Sequence, residues 1–316
     1  LGAQHKCHRW RGLLAALAAL TAAACNTVDT TEVDRQSIPP SLEASPAELV
    51  ELFNRQAAAV RSLNARVELN PVAGSAYSGV IQDYRDVRGF LLAQRPASIR
   101  MIGQAPVVAS TIFDMVSDGE TFRVSIPPKH KFIVGPARFE RPAAKPIENL
   151  RPHHLVDAVF WTELPGHAEL LFEEFEAEPA SATRPGARYY ILTESRPTSS
   201  APLQAPRQIY RKVWFDRASL GIARVQVFGP AGKIETDARY GDWQPVSSSP
   251  APASSTSSPS LASFSFPRLI SVARPRDDYR LEIRISRLTV NEPIAAERFT
   301  LDQPPGAELI RIEEKM

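Results

Sequence analysis

Leu281-Glu282-Ile283-Arg284-Ile285-Ser286 decides the fold. Apolar and polar residues alternate with period two, so Leu281, Ile283 and Ile285 share one face of a strand and Glu282, Arg284 and Ser286 the other. Such a strand buries one face and wets the other, as antiparallel sheets do. Thr121-Phe122-Arg123-Val124-Ser125-Ile126 repeats the pattern, and so does Arg224-Val225-Gln226-Val227. Working outward, strand patterns occupy 64–70, 76–84, 87–94, 97–103, 110–117, 120–126, 130–134, 168–176, 187–194, 206–216, 221–228, 233–243, 264–273, 279–290 and 307–312. Ser117-Asp118-Gly119-Glu120, Asp216-Arg217-Ala218-Ser219-Leu220-Gly221 and Phe228-Gly229-Pro230-Ala231-Gly232 read as hairpin connections. Short strands joined by tight turns give antiparallel sheet.

Helices are few. Ser45-Pro46-Ala47-Glu48 supplies an N-cap, a proline at the first helical position and a glutamate three residues after the cap, a capping box. Leu49, Leu52, Phe53, Val60 and Leu63 follow near helical spacing. A second, shorter helix is predicted over 152–160, where Leu155, Val156, Val159 and Phe160 are apolar. Leaving the apolar face of so many strands in water would cost roughly 25 cal/mol per Å², so something must cover it. A helix about 10 Å wide shields only two or three strands spaced about 4.8 Å apart. Two solutions stay open. The sheet folds onto itself as a sandwich, or it curls into an incomplete barrel with the helices as a lid over an apolar cavity, the place for an acyl chain. The fold class is mainly β with a few helices, as one domain over 45–316.

Two segments lack periodicity. Residues 25–44 are polar and read as a flexible tether. Residues 246–263, dominated by serine and proline, bury too little apolar surface to offset their ordering entropy and read as a disordered insertion within a hairpin. Before the tether, Lys6, Arg9 and Arg11 precede an apolar run, Leu13 to Ala24, of about a dozen residues. A spanning helix needs about 20. The order of basic, apolar and small residues ending at Cys25 resembles a bacterial lipoprotein signal, 1–24, whose cysteine is acylated and becomes the new N-terminus. An ordinary cleaved secretory signal and a short uncleaved anchor fit the same run. With cleavage before Cys25, Cys7 leaves with the signal, and no disulfide is available to the folded domain. Under the lipoprotein resemblance, Asn26 in place of an aspartate favours the outer membrane on its periplasmic side.

Composition is that of an ordinary globular chain, 43% hydrophobic and 23% charged. A net charge of +2 with scattered arginines gives no basic stripe for nucleic acid.

Arg95-Pro96-Ala97-Ser98-Ile99-Arg100, followed by Asp118-Gly119-Glu120-Thr121-Phe122-Arg123-Val124-Ser125-Ile126-Pro127, resembles the strand pattern of the lipoprotein carrier and receptor superfamily, the LolA/LolB-like proteins. Val213-Trp214-Phe215-Asp216 through Leu220-Gly221-Ile222-Ala223-Arg224-Val225 resembles the strand–turn–strand that follows there. Phe266-Pro267-Arg268-Leu269-Ile270 and Asn291-Glu292-Pro293, leading to Phe299-Thr300-Leu301, resemble its closing strands. The resemblance implies a curled antiparallel sheet with a helical lid around a hydrophobic cavity that holds lipid. Its partner would be a membrane lipid or an acylated lipoprotein, with the protein held at the membrane through Cys25. Candidate cavity residues, chosen from apolar strand faces, are Phe90, Leu92, Ile99, Phe122, Val124, Phe215, Val225, Val227, Ile283 and Ile285. The competing expectation is a structural or assembly lipoprotein with a filled core, working through an interface with another envelope protein.

No motif asks for catalysis or a cofactor. There is no Gly-x-Ser-x-Gly elbow, no phosphate-cradling glycine loop and no Cys/His metal spacing. His153-His154 would point about 100° apart on a helix and chelate one metal poorly. Glu173-Glu174-Phe175-Glu176 reads as an exposed strand end rather than paired catalytic carboxylates. Trp161 reads as a core anchor or as a lid residue over a cavity. A non-enzymatic lipid-binding lipoprotein is the leading expectation.

Overall fold

In the computed structural model, residues 41–75, 80–83, 87–137, 151–176, 187–198, 206–246 and 264–312 are described. The alternation becomes strands β1 Ser62–Ser75, β2 Val80–Asp83, β3 Val87–Gln94, β4 Ser98–Gln104, β5 Thr111–Ser117, β6 Thr121–Ile126 and β7 Lys131–Pro136. The chain continues through β8 Leu170–Glu176, β9 Arg188–Pro197, β10 Arg207–Asp216, β11 Ile222–Phe228, β12 Ile234–Val246, β13 Phe264–Arg274, β14 Tyr279–Val290 and β15 Glu308–Arg311. The helices are α1 Pro46–Ala59 and α2 Pro152–Val159. The capping box forms: the Ser45 hydroxyl accepts from the Glu48 amide at 3.3 Å, and the Glu48 carboxylate accepts from the Ser45 amide at 2.7 Å. The segment read as a signal, 1–24, Cys25, most of the segment read as a tether and 247–263 lie outside the described residues. The last tether residues lie against β9 and β10: the Leu42 amide donates to the Arg217 carbonyl at 2.7 Å. On either side of the serine-rich segment, Val246 and Phe264 are paired across β12 and β13.

The strands form one sheet in the order β15-β7-β6-β5-β4-β3-β1-β14-β13-β12-β11-β10-β9-β8, with β2 pairing β1 off this path. It does not close into a barrel. It does curl. Six strand steps separate β3 from β10 in that order, about 29 Å if flat. Yet Ala57 of α1 is bonded by Arg95 at the end of β3, while Phe53, one helical turn away, packs on Phe215 of β10 with ring centroids 6.5 Å apart. A sheet wrapped around the helix brings both strands within reach. Of the two covers open to the sequence, the curled sheet with helices is the one adopted. The concave face is one apolar cluster that runs from Met115 of β5 through Ile99, Leu91, Val67, Ile283, Ile270, Ala238, Val225 and Phe215 to Leu192 of β9.

Among the described residues all pairings are antiparallel except one: β15 runs parallel to β7, Glu308 beside Lys131. The antiparallel sheet expected from the sequence is observed, with this one parallel pairing at its edge. The chain leaves β14 where Val290 pairs Leu63 and returns at the opposite end of the sheet, so β15 runs back alongside β7 in parallel. The intervening strap, 291–307, crosses the convex face. Arg100 of β4 donates to the Arg298 carbonyl at 2.9 Å, and Arg123 of β6 donates to the Leu301 carbonyl at 3.3 Å.

Candidate functional site

The concave face and its cover form the candidate site. The cover consists of α1, α2 and the segment 160–164 that follows α2. Helix α1 turns Leu49, Val50, Phe53 and Ala57 inward, and α2 buries Leu155, Val156 and Val159. Trp161 is an anchor, 4% exposed, between Phe53 at 5.8 Å, Tyr240 at 5.1 Å and Trp243 at 6.2 Å. Its indole N–H donates to the Tyr240 hydroxyl at 2.9 Å, which in turn donates to the Ala158 carbonyl at 3.1 Å.

Side chains of the sheet and of α1 take up the backbone of the cover. Arg95 donates to the carbonyls of Ala57 at 2.8 Å and Val60 at 3.0 Å, and also to Trp161 at 3.0 Å. One guanidinium therefore holds the end of α1 and the residues after α2. Arg211 of β10 donates to the Thr162 carbonyl at 2.6 Å and the Glu163 carbonyl at 3.1 Å. Arg211 is itself paired with Glu194 of β9 at 2.7 Å, both about 5% exposed. A buried charge needs such a partner. Asn54 closes the set, donating to the Leu164 carbonyl at 3.0 Å and accepting from the Leu164 amide at 2.7 Å. Opposite Arg95, Asn291 donates to the Ala59 carbonyl at 2.8 Å and accepts from the Arg61 amide at 2.8 Å. At the α1 C-terminus, whose cap residue Val60 is extended, the carbonyls of Ala57, Ala59 and Val60 are thus satisfied by side chains.

Electrostatics under α2 are set by burial. Desolvation first, then the neighbouring charges of His153, Arg274 and Arg151, hold His154 well below the ordinary histidine value. Among the described residues its Nδ1 has no hydrogen-bond partner, and neither has the Tyr279 hydroxyl. Burial raises the phenols of Tyr240 and Tyr279. At the β5–β6 turn, burial raises the Asp118 carboxyl, but the Thr121 and Glu120 amides and the Thr121 hydroxyl outweigh it and hold it below its usual value. Gly119 there has φ of 99°, and a Cβ would lie 2.5 Å from that of Ala97.

The candidate residues divide between two faces. Ile99, Phe215 and Ile283 are fully buried in the concave cluster, with Val225 and Ile285 beside them. Val124 is partly buried against that cluster. Val227 is half-buried opposite Arg211. Phe122 faces the same way, below the Arg151 guanidinium at 6.0 Å. Phe90 and Leu92 are corrected: they lie on the convex face. Leu91 and Ala93 take the concave positions of β3, and alternation sends their neighbours outward. Phe90 meets Arg66 at 5.7 Å, and Leu92 lies under the strap. The concave face is filled by side chains: Phe53, Phe215, Phe266, Leu91, Ile99 and Leu155 are each under 2% exposed. Two cavities flank strap residue Ile294 on the convex face instead, about 290 Å³ beside Leu92 and Arg298 and about 340 Å³ between Gln94, Val116, Arg123 and Phe299.

Other readings find their places. Glu173, Glu174 and Glu176 stand on the exposed strand β8, paired with Lys212 at 3.7 Å, Arg217 at 2.9 Å and Arg188 at 2.9 Å. His153 places Nδ1 2.7 Å from the Ala137 carbonyl, while His154 is buried. Among the described residues, no group of three metal-ligating side chains converges. No helix of the described residues is long and apolar enough to cross a membrane. Sequence reasoning missed the latching roles of Arg95, Arg211 and Asn54. Arg211 carried a signal: it shares the inward phase of Val213 and Phe215, where a charge needs a buried partner.

No family model matches the chain, and no curated protein matches it. Solved structures do. A DUF1329 family protein from Desulfovibrio piger is 10% identical, over 81% of this chain and 95% of that one, with a TM-score of 0.44. A LolA superfamily protein from Nitrosomonas europaea is 9% identical, over 82% and 99%, with a TM-score of 0.42. An outer membrane lipoprotein-sorting protein domain from Vibrio parahaemolyticus is 10% identical, over 81% and 97%, with a TM-score of 0.40. The superfamily named from the sequence motifs is thus among the structures to which this chain is similar. The overlap is loose in all three, so the functional reading rests on this chain's own residues.

Proposed function

We propose that this protein is a non-enzymatic envelope lipoprotein that accepts an acyl chain, of a lipid or of another lipoprotein, against the concave face of its sheet. Helices α1 and α2 with segment 160–164 are the displaceable cover. Arg95 carries the reading: a single side chain at the end of β3 bonds the ends of both halves of the cover, so breaking one set of contacts loosens both. The face beneath is apolar from β5 to β9, the lining an acyl chain needs. One end of the sheet suits a lipid surface. Val107 and Val108, 92% and 73% exposed, form the tip of the β4–β5 hairpin. Ile81 of β2 is 63% exposed at the same end, with exposed Lys129 in the turn before β7. Acylated Cys25, followed by Asn26, would hold the protein on the periplasmic side of the outer membrane.

The filled concave face favours a second reading, a structural or assembly lipoprotein working through a protein interface. The deciding experiment uses the full chain with Cys25→Ser, alone and with Arg95→Ala. Mass spectrometry identifies co-purified lipid, and a fluorescent acyl probe measures uptake. The acceptor reading expects saturable uptake that Arg95→Ala accelerates. Protein that emerges lipid-free and takes up no probe in either form supports the structural reading.

A further inference from the structure

Strand β8 ends the sheet, and among the described residues no strand pairs with its outer edge. Open edges offer free backbone N–H and C=O groups, and proteins usually guard them with charge. Here the guard is spent. Glu173, Glu174 and Glu176 are all paired with basic side chains of their own sheet, Lys212, Arg217 and Arg188. Two large apolar side chains remain outside, Leu171 at 61% and Phe175 at 45% exposure. Both project from the convex face, because their positions share the phase of Glu173. Phe175 is held in place edge-on against Trp214, ring centroids 5.5 Å apart.

We infer that β8 pairs antiparallel with β8 of a second copy of this chain, about a two-fold axis midway between the two Glu173 residues. The register selects the partner. Centred on Glu173, Leu171 of each copy lies opposite Phe175 of the other, so the two exposed apolar residues cover each other twice. Centred on Phe172, Leu171 would face Glu173 and Phe175 would face Glu169. Centred on Glu174, Leu171 would face Ala177 and Phe175 would face Glu173. Only the first register sets Leu171 and Phe175 against each other, and it leaves Leu170 opposite Glu176 and Phe172 opposite Glu174. Its cost is Glu173 opposite Glu173, a like-charge contact moderated by Lys212 at 3.7 Å in each copy.

The test uses the full chain with Cys7→Ser and Cys25→Ser. Sedimentation across a concentration series reads the monomer–dimer midpoint. Leu171→Lys and Phe175→Lys are each expected to weaken the dimer about tenfold or more, since each substitution strikes two symmetry-related contacts. Glu173→Gln is expected to tighten it. In the same background Glu173→Cys crosslinks to its twin on mild oxidation, whereas Glu176→Cys, which faces Leu170, does not. Circular dichroism checks that each variant keeps its sheet. A monomer mass throughout the series, a dimer indifferent to Leu171 and Phe175, or crosslinking at 176 in place of 173 overturns the inference.

Discussion

The Tyr240 hydroxyl joins β12 to α2 and to Trp161 just beyond it through two buried hydrogen bonds. Tyr240→Phe leaves the Trp161 indole N–H without its partner and the Ala158 carbonyl short of one, at a cost of about 1–3 kcal/mol. The urea midpoint is expected to fall with an unchanged m-value; an unmoved midpoint would mean that water replaces the hydroxyl. His154 makes stability depend on pH. Its folded value is depressed by desolvation and by His153, Arg274 and Arg151, so the unfolded chain binds the proton more readily. The stability it contributes is complete above about pH 6.5, the ordinary histidine value, and is lost as pH falls below it. His154→Leu is expected to flatten the denaturation midpoint across that acid range; a slope identical to the parent's would assign it to other groups. The buried phenols act at the other extreme. Raised values for Tyr240 and Tyr279 mean that stability falls as pH climbs past about 10. None of these roles was legible from the sequence. A tyrosine two positions from Ala238 on an alternating strand announces burial, but its partner lies 79 residues away on the cover.

Strands were legible because alternation is local: Leu281, Ile283 and Ile285 mark β14 without reference to any other strand. Faces were legible only where the alternation is clean. In Phe90-Leu91-Leu92-Ala93 every residue is apolar, so the pattern cannot say which pair turns inward, and the strap that covers Leu92 is contributed from far along the chain. The parallel placement of β15 was hidden for the same reason, being set by where the strap lands rather than by its four residues. Helix α1 shows the same division. Its start is written locally in Ser45 and Glu48, whereas its end depends on Arg95 and Asn291 from other elements. Asn291→Ala removes an acceptor for the Arg61 amide and a donor for the Ala59 carbonyl. A loss of about 1 kcal/mol is expected, with faster hydrogen exchange at the end of α1. Exchange rates there equal to the parent's would leave Arg95 as the sole clamp. Gly89 is a sharper case. A Cβ at this position would overlap the Ile102 carbonyl oxygen of β4, so Gly89→Ala is expected to separate β3 from β4 and abolish the cooperative unfolding transition.

At the scale of the molecule, a filled concave face and an acyl-accepting function are compatible only if the cover moves. For displacement of α2 alone the energies permit it. About sixteen methylenes leaving water release on the order of 13 kcal/mol. Exposing Leu155, Val156 and Val159 of α2 costs about 1.5–3 kcal/mol each, and the bonds of Arg95 to three carbonyls are partly replaced by water. The unpartnered His154 Nδ1 and Tyr279 hydroxyl lower the cost further, because lifting α2 lets water reach both. The end of the sheet bearing Val107 and Val108 would bring this exchange to a lipid surface. Val107→Glu with Val108→Glu is therefore expected to reduce co-sedimentation of the Cys25→Ser chain with lipid vesicles while leaving its melting temperature unchanged; undiminished co-sedimentation would place the contact elsewhere. Hydrogen exchange during probe uptake then locates the chain itself. If the acyl probe enters beneath the cover, protection is expected to fall at Leu164, whose amide is held by Asn54, and across α2, with the strap unchanged. If it enters instead between the strap and β3–β6, where cavities of about 290 and 340 Å³ flank Ile294, the strap 291–301 loses protection and the cover keeps its own. The first outcome makes Arg95 and Arg211 the latches of a moving lid; the second makes the curled sheet and its helices a rigid support for a site on the opposite face.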